Sequence, residues 1–199
     1  KPLTCLRTIT LAAISITLAA FAAPTMAQQT SIDRIVAFGA SLSDTGNAFI
    51  WLSRPENQAC GVTPLNVPPY DALDDFLIPD GAYAKGGHHL SNGATWLEGL
   101  ARDFALGGNV RPAFQNTGIK ASNYAVGGAR AIADYPCRFN LPAQRQAYFA
   151  DFSNTSQNTL VTLEIGGNDV RDALVAAASG QNPAPIIQAA LANIAETIV

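Results

Sequence analysis

The stretch from Ile35 to Asn47 constrains this chain more than any other, because it joins a buried strand to a turn of unusual composition. The apolar run from Ile35 to Phe38 predicts a strand, which Gly39 ends abruptly. In an open α/β sheet, reactive groups collect at the carboxyl ends of the strands, where loops and helix N-termini converge. Ser41 therefore occupies a position suited to a nucleophile, although a serine just after a strand is also a common turn former or helix cap.

Two later stretches repeat this pattern of a strand followed by a glycine turn. Residues 121–126 predict a second strand, which Gly127 and Gly128 close. The β-branched, apolar run 159–165 predicts a third strand, which ends at Gly166-Gly167-Asn168-Asp169. Read alone, Gly127-Gly128 predicts no more than a turn. Asn168-Asp169, read alone, predicts a helix N-cap.

Together these motifs resemble the signature blocks of the GDSL, or SGNH, family of serine esterases and lipases. Residues 38–47 read Phe-Gly-Ala-Ser-Leu-Ser-Asp-Thr-Gly-Asn and match the first block, except that Ala40 stands where the family has Asp. The Asn-Tyr-Ala-x-Gly-Gly-Ala run that starts at Asn123 resembles the second block. Residues 166–169 resemble the third block, Gly-x-Asn-Asp, and the resemblance as a whole covers residues 33–199.

The resemblance implies a role for one residue in each block. Ser41 is the nucleophile, and its own N–H is the first donor to the oxyanion. Gly128 supplies a second N–H, with Gly127 as the fallback assignment, because glycine lets the backbone approach the reacting carbonyl closely. The side-chain amide of Asn168 is the third donor, since it donates without carrying a proton that could be lost.

The implied fold is α/β, a three-layer α/β/α flavodoxin-like sandwich with a mainly parallel sheet. Residues 28–199 are expected to form the N-terminal part of that domain, and no Gly-x-Ser-x-Gly elbow points to the α/β-hydrolase fold instead. The family's base is a histidine in an Asp-x-x-His motif near the C-terminus of the domain, and no such motif occurs here. We therefore expect the C-terminal part to be missing and the chain as given to be inactive. The alternative is that His88 or His89, the only histidines, supplies the base.

The implied activity is hydrolysis of carboxylic esters, as in an esterase or lipase, through an acyl-enzyme and without a metal or organic cofactor. The expected partner is a small-molecule ester or lipid substrate, with transient contact to a lipid surface. Pro68-Pro69-Tyr70 and the Ser-Asn-Gly-x-x-Trp run that ends at Trp96 resemble the plant-type and hemolysin-like lipase branch. The alternative is a catalytically inactive relative that binds lipid or glycan, which Ala40 makes more credible. A nucleotide-binding domain is less favoured, because neither Gly-x-Gly-x-x-Gly nor a P-loop occurs.

Composition favours a single globular domain, and the N-terminal segment favours export. The 199 residues are 48% hydrophobic and 14% charged, and the formal net charge of -3 argues against a nucleic-acid partner. Lys1 and Arg7 precede an apolar run from Ile9 to Ala23, and small residues lie just before Gln28. This layout predicts a secretory signal peptide over residues 1–27, with an uncleaved membrane anchor as the alternative. The protein is therefore expected to be secreted or periplasmic.

Two cysteines, Cys60 and Cys137, remain once the predicted signal segment and its Cys5 are removed. Neither has the local spacing of a zinc site. A lone pair of cysteines in an oxidising compartment tends to be bridged, so we expect a disulfide between them, with two free thiols as the alternative.

Helical patterns follow the predicted strands. Residues 48–52 are compatible with a short helix, and a Pro- and Gly-rich loop over residues 55–93 follows it. Thr95 and Glu98 predict a capping box for a helix that ends at Gly107-Gly108. Further helices with apolar faces are predicted over residues 141–152, 170–178 and 185–199.

Overall fold

Within the described residues, the computed structural model contains a sheet of two strands, β1 (Arg34–Gly39) and β2 (Thr159–Glu164). They pair in parallel, with Gly39 opposite Glu164 at their carboxyl ends. Residues 35–38 are all buried, which explains why they form an uninterrupted apolar run. The strands predicted from the first and third motifs are thus confirmed, and the two turns that follow them lie at the same edge of the sheet.

The structure describes residues 31–52, 54, 89–91, 93–115, 121–132 and 139–198. Several predicted features lie outside these ranges. They are the signal segment, most of the Pro- and Gly-rich loop with Pro68-Pro69-Tyr70 and His88, and both cysteines of the expected disulfide. Those predictions stay predictions.

The predicted second strand, residues 121–126, is not a regular strand, although it lies beside β1 as expected. Three backbone hydrogen bonds join the two segments: Ala37 N–H to Ser122 O (2.9 Å), Tyr124 N–H to Ala37 O (2.7 Å) and Val126 N–H to Gly39 O (3.1 Å). On its other side the stretch meets Pro112. The ladder with β1 does not continue, because Gly39 N–H donates to the side chain of Gln144 at 2.9 Å and not to the backbone of the stretch. The stretch therefore forms isolated parallel bridges at Asn123.

The α-helices within the described residues are α1 (Asn47–Leu52), α2 (Trp96–Asp103), α3 (Leu141–Asp151), α4 (Gly167–Ala178) and α5 (Ala184–Ile198), and a 3₁₀ turn covers Ala113–Gln115. α2 begins as predicted, because Thr95 Oγ1 accepts from Glu98 N–H while the Glu98 carboxylate accepts from Thr95 N–H at 2.8 Å. It ends before the predicted stop at Gly107-Gly108. The reason is Ala105, whose left-handed conformation (φ 57°) already turns the chain away from the helix axis.

Apolar side chains cover both faces of β1. Ile35 and Ala37 point to one face, where α2 contributes Leu97 and Ala101 to a buried cluster. The other face carries a larger cluster, whose buried members are Val36, Phe38, Tyr124, Ala131, Leu141, Tyr148, Phe152 and Ala190. Because neighbours along a strand point to opposite faces, β1 is packed between α2 on one side and α3 on the other. This packing fixes the position of the turn that follows β1.

The apolar faces predicted for the later helices are only partly buried. On α3, Tyr148 is buried but Phe149 is 62% exposed, so the two aromatic neighbours do not share the buried side of the helix. Consecutive helical residues point about 100° apart, which explains the difference. On α5, Ile194 packs against the larger cluster, whereas Leu191 and Ile198 are exposed. No helix in the described ranges is long and apolar enough to cross a bilayer.

Candidate active site

Ser41 lies in the turn that follows β1. Backbone hydrogen bonds close this turn, from Ala40 N–H to Glu164 O at 3.0 Å and from Ser43 N–H to Ala40 O at 3.2 Å. Ser41 is half-buried, and its hydroxyl makes no hydrogen bond within the described part of the chain. The alternative that it caps α1 is not supported, because the Asp44 carboxylate accepts the N–H groups at the start of that helix. The hydroxyl is therefore available for chemistry at the end of a parallel strand.

The end of β1 is held by Gln144 of α3. This side chain is fully buried, and its amide accepts from Gly39 N–H and donates to Gly39 O, both at 2.9 Å. On the other side, a Cβ placed on Gly39 would lie 2.5 Å from Glu164 O, so glycine is what lets β2 approach this closely. These contacts fix the position of Gly39, after which the turn that carries Ser41 begins.

Asp44 joins the first motif to the second. Its carboxylate is fully buried and accepts Gly46 N–H and Asn47 N–H on Oδ1, at 2.7 and 2.6 Å. Oδ2 accepts Ala48 N–H at 3.0 Å and Gly127 N–H at 2.7 Å. Burial outweighs these hydrogen bonds and raises the pKa of Asp44 to about 6. No motif assigns Asp44 a role, although an aspartate just before a predicted helix is a signal for a capping group.

In the glycine turn, the N–H of Gly128 has no hydrogen-bond acceptor among the described residues. The N–H of Gly127 is bonded to Asp44, so it is not available to an oxyanion. Gly128 adopts φ 79°, a conformation that favours glycine, and its N–H has no acceptor among the described residues. Of the two assignments made from the sequence, the geometry favours Gly128.

Asn168 lies in the first turn of α4. The N-cap of this helix is Gly166, because the chain leaves β2 with a positive φ (105°) that glycine accommodates. The alternative prediction, that Asn168 and Asp169 form the cap, is therefore wrong. One N–H of the Asn168 amide donates to Ala129 O at 2.8 Å, and no further bond of this amide occurs in the described ranges. Since an amide carries two N–H donors, one remains for a ligand.

Two charged residues, Asp169 and Arg130, tie the second motif to α4 through contacts that no sequence pattern predicts. Asp169 is buried and accepts Ala131 N–H at 2.9 Å. Arg130 is 1% exposed and donates two N–H groups to Asp172, at 2.5 and 2.9 Å, and a third to Gly128 O at 2.8 Å. No periodic pattern or motif marks Arg130, so only the structure identifies it.

Two buried asparagines hold the first and second motifs together. Asn47 Nδ2 donates to Asn123 O and Ala125 O, at 2.7 and 2.9 Å. Asn123 Nδ2 donates in return to Ser43 O and Thr45 Oγ1, at 2.8 and 2.9 Å. Buried amides are stable only when their polar atoms are paired, so these bonds specify how the two turns meet.

His89 pairs with Glu98 at the start of α2. It is 3% exposed, and its Nε2 lies 2.9 Å from Glu98 Oε2. Neither ring nitrogen makes a well-aligned hydrogen bond, so the contact is an electrostatic pairing. Burial alone would raise the pKa of Glu98, but the contacts with His89 and Thr95 outweigh it and lower that pKa. Among the described residues His89 has no recorded contact with Ser41, and no group of three His, Cys, Asp or Glu side chains is placed to hold a metal.

Apolar and polar groups both border the Ser41 turn. Trp96 Nε1 donates to Ser43 Oγ at 3.1 Å, and Ser43 Oγ donates to Glu164 Oε2 at 3.3 Å. Burial raises the pKa of Glu164. Leu42 and Trp96 are 65% and 46% exposed, so apolar surface remains in water beside the turn.

Comparison with known proteins agrees with this arrangement. A family model described as GDSL-like Lipase/Acylhydrolase matches residues 35–198, which include all three motifs and the helices that follow them. A comparison with curated proteins found no match. Because the family model covers most of its length, the chain belongs to the GDSL-like lipase/acylhydrolase family of hydrolases.

Proposed function

We propose that the protein hydrolyses carboxylic esters through an acyl-enzyme formed on Ser41. One observation carries the proposal: the turns at the carboxyl edge of the sheet hold a serine hydroxyl and two donors, Gly128 N–H and one Asn168 N–H, without a partner in the described residues. The neighbouring N–H of Gly127 and the carbonyl of Gly128 are, by contrast, paired. Unpaired donors beside a nucleophile are what an oxyanion site requires.

The proposed reaction has two steps. Ser41 Oγ attacks the ester carbonyl carbon and loses its proton to a base, while Ser41 N–H, Gly128 N–H and the Asn168 amide stabilise the negative oxygen. The C–O bond to the alcohol then breaks, and the alcohol leaves with that proton. Water attacks the acyl-enzyme in the same way and releases the carboxylic acid. In the family the base is the histidine of an Asp-x-x-His motif, which these 199 residues do not contain.

The substrate proposed is a small-molecule ester or a lipid. The exposed side chains of Leu42 and Trp96 support it, because apolar surface beside the nucleophile favours an acyl chain or another apolar group. The same surface supports transient contact with a lipid interface. We further propose that the fold is a three-layer flavodoxin-like sandwich and that the protein belongs to the plant-type and hemolysin-like branch. We also propose that it is exported to a secreted or periplasmic location. Each of these proposals rests on the sequence features given above.

The test is a pair of serine substitutions in the full-length protein, assayed on p-nitrophenyl butyrate. Ser41→Ala should lower kcat/KM by more than about 10³-fold, because losing a nucleophile removes the acyl-enzyme route. Ser179→Ala is the matched control: Ser179 is an exposed serine at the end of α4 whose hydroxyl donates to Val175 O. It should stay within about twofold of the wild type. Residual activity of Ser41→Ala above about 10⁻³ would overturn the assignment of the nucleophile.

The same assay separates the enzyme from the alternative, an inactive domain that binds lipid or glycan. The observation behind that alternative is Ala40, whose buried methyl group replaces the family carboxyl group in the Ser41 turn. Wild-type protein that binds phospholipid vesicles but releases no nitrophenol would support the binding domain. Turnover that Ser41→Ala removes would exclude it.

A further inference from the structure

We propose that Asp44 and Arg130 are positioning residues for the oxyanion site, because they hold the Gly127–Gly128 turn at its two ends while Gly128 N–H has no acceptor among the described residues. This inference rests on the proposed ester hydrolysis. Neither residue is expected to touch the substrate. Both act through the backbone of the glycine turn.

Asp44 fixes the first end of the turn. Its Oδ2 accepts Gly127 N–H at 2.7 Å and Ala48 N–H at 3.0 Å, so the turn is tied to the first residues of α1. Its Oδ1 is used by Gly46 N–H and Asn47 N–H. Four donors therefore converge on two carboxylate oxygens, and an asparagine, with one acceptor oxygen, could satisfy only part of them.

Arg130 fixes the second end. Its guanidinium donates to Gly128 O at 2.8 Å and holds Asp172 through two further N–H groups. Asp172 lies on α4 one turn after Asn168, so Arg130 links the carbonyl of one oxyanion donor residue to the helix that carries another. The planar fork of arginine matches a carboxylate with two bonds, which lysine cannot reproduce.

The glycine pair explains why such support is needed. Glycine populates a wide range of backbone conformations, so an unsupported Gly127–Gly128 peptide would sample many directions for the Gly128 N–H. Oxyanion donors act by being oriented before the reaction, and a poorly oriented donor loses much of its effect in the transition state. Loss of one support should therefore lower kcat, by about 10- to 100-fold, and change KM by less than about threefold.

The kinetic test uses Asp44→Asn and Arg130→Lys in the full-length protein. Asp151→Asn and Arg145→Lys are the controls, because both residues lie on α3 and make side-chain hydrogen bonds with groups outside the glycine turn, the Tyr124 hydroxyl and Glu196. The two test variants should lose kcat at nearly constant KM, and the controls should retain it. If Arg130→Lys does not fold, Asp172→Asn tests the same end of the turn. Unchanged kcat in folded test variants, with an active wild type, would overturn the positioning role alone.

Amide hydrogen exchange measured by NMR tests the same supports without turnover. Gly127 N–H should exchange slowly and Gly128 N–H quickly in the wild type, and Asp44→Asn should accelerate Gly127. Fast exchange at Gly127 in the wild type would overturn the inference even in an active enzyme. A wild type that hydrolyses no ester would overturn the proposed function and the positioning role with it.

Discussion

The carboxylate of Asp44 accepts a 2.7 Å hydrogen bond from the backbone N–H of Gly127, 83 residues further along the chain. This bond connects the turn of the proposed nucleophile to the turn of a proposed oxyanion donor. It also distinguishes two adjacent glycines, because it occupies the N–H of Gly127 and leaves that of Gly128 without an acceptor in the described ranges. The arrangement of the site thus depends on a buried carboxylate that does no chemistry itself.

Asn168→Ala should lower kcat by about 10²- to 10³-fold, the usual effect of losing one oxyanion donor. The matched control is Asn193→Ala on α5, since the Asn193 amide also donates to a backbone carbonyl, that of Ala189, but within its own helix. Steady-state kinetics on p-nitrophenyl butyrate measures both. Equal activity of the two variants would show that Asn168 is not a donor.

Gly39→Ala should destabilise the fold by about 1–3 kcal/mol, because the new Cβ would lie 2.5 Å from the backbone oxygen of Glu164. Gly99→Ala provides the contrast. Gly99 lies inside α2 with open space around it, so alanine there should stabilise by about 0.5–1 kcal/mol. Urea unfolding of both variants measures the two changes, and a Gly39→Ala variant as stable as the wild type would contradict the close contact between β1 and β2.

Asp44 should make stability depend on pH. Its pKa is about 6 in the folded chain against an ordinary 3.8, so between about pH 4 and pH 6 the folded state binds more protons than the unfolded state. The contribution of Asp44 to the free energy of unfolding is therefore fully present below about pH 4 and is lost as the pH rises to about 6. For a fully buried group, a pKa shift of this size corresponds to a change of roughly 3 kcal/mol in the free energy of unfolding.

The measurement for this prediction is the free energy of unfolding of wild type and Asp44→Asn at pH values across this window. Asparagine does not titrate, so the difference between the two proteins isolates the carboxyl group. The stability of the wild type relative to the variant should fall as pH rises. A relative stability that instead increases from pH 4 to pH 6 would mean that the four N–H donors lower the pKa of Asp44.

His89→Gln should leave kcat/KM within about threefold of the wild type and lower stability by about 1 kcal/mol. The reason is that His89 is buried and paired with Glu98, which is the environment of a structural residue. Ester hydrolysis and thermal unfolding of the same preparation separate the two effects. A loss of activity above about 10³-fold in a folded variant would make His89 the base.

The strands and helices could be predicted because they depend on short-range patterns. The apolar run 35–38 is uninterrupted since both of its faces are covered, and the capping box of Thr95 and Glu98 is a local interaction. Local patterns were insufficient for residues 121–126. There the Gly39 N–H that would continue the ladder donates instead to the side chain of Gln144, which lies on a helix more distant in the sequence.

The site could be predicted only in its outline. Ser41 and Asn168 follow strand ends, Gly128 follows the stretch beside β1, and all three match motifs, so a pattern singles them out as candidates. Asp44 and Arg130 could not be assigned their contacts, because these join residues that are far apart in the chain or belong to different elements. A single sequence does not specify which buried charged side chain forms a hydrogen bond with which backbone group.

The most direct test of the proposed nucleophile is its covalent capture by a p-nitrophenyl alkylphosphonate. Ser41 Oγ should form a bond to phosphorus while the bond to nitrophenolate breaks, which gives a stable analogue of the tetrahedral intermediate. Intact mass and peptide mapping of the full-length protein measure the product. We predict one adduct per chain, located on Ser41, with release of one equivalent of nitrophenol and no adduct in Ser41→Ala. An adduct on another residue, or labelling that persists in Ser41→Ala, would contradict the account.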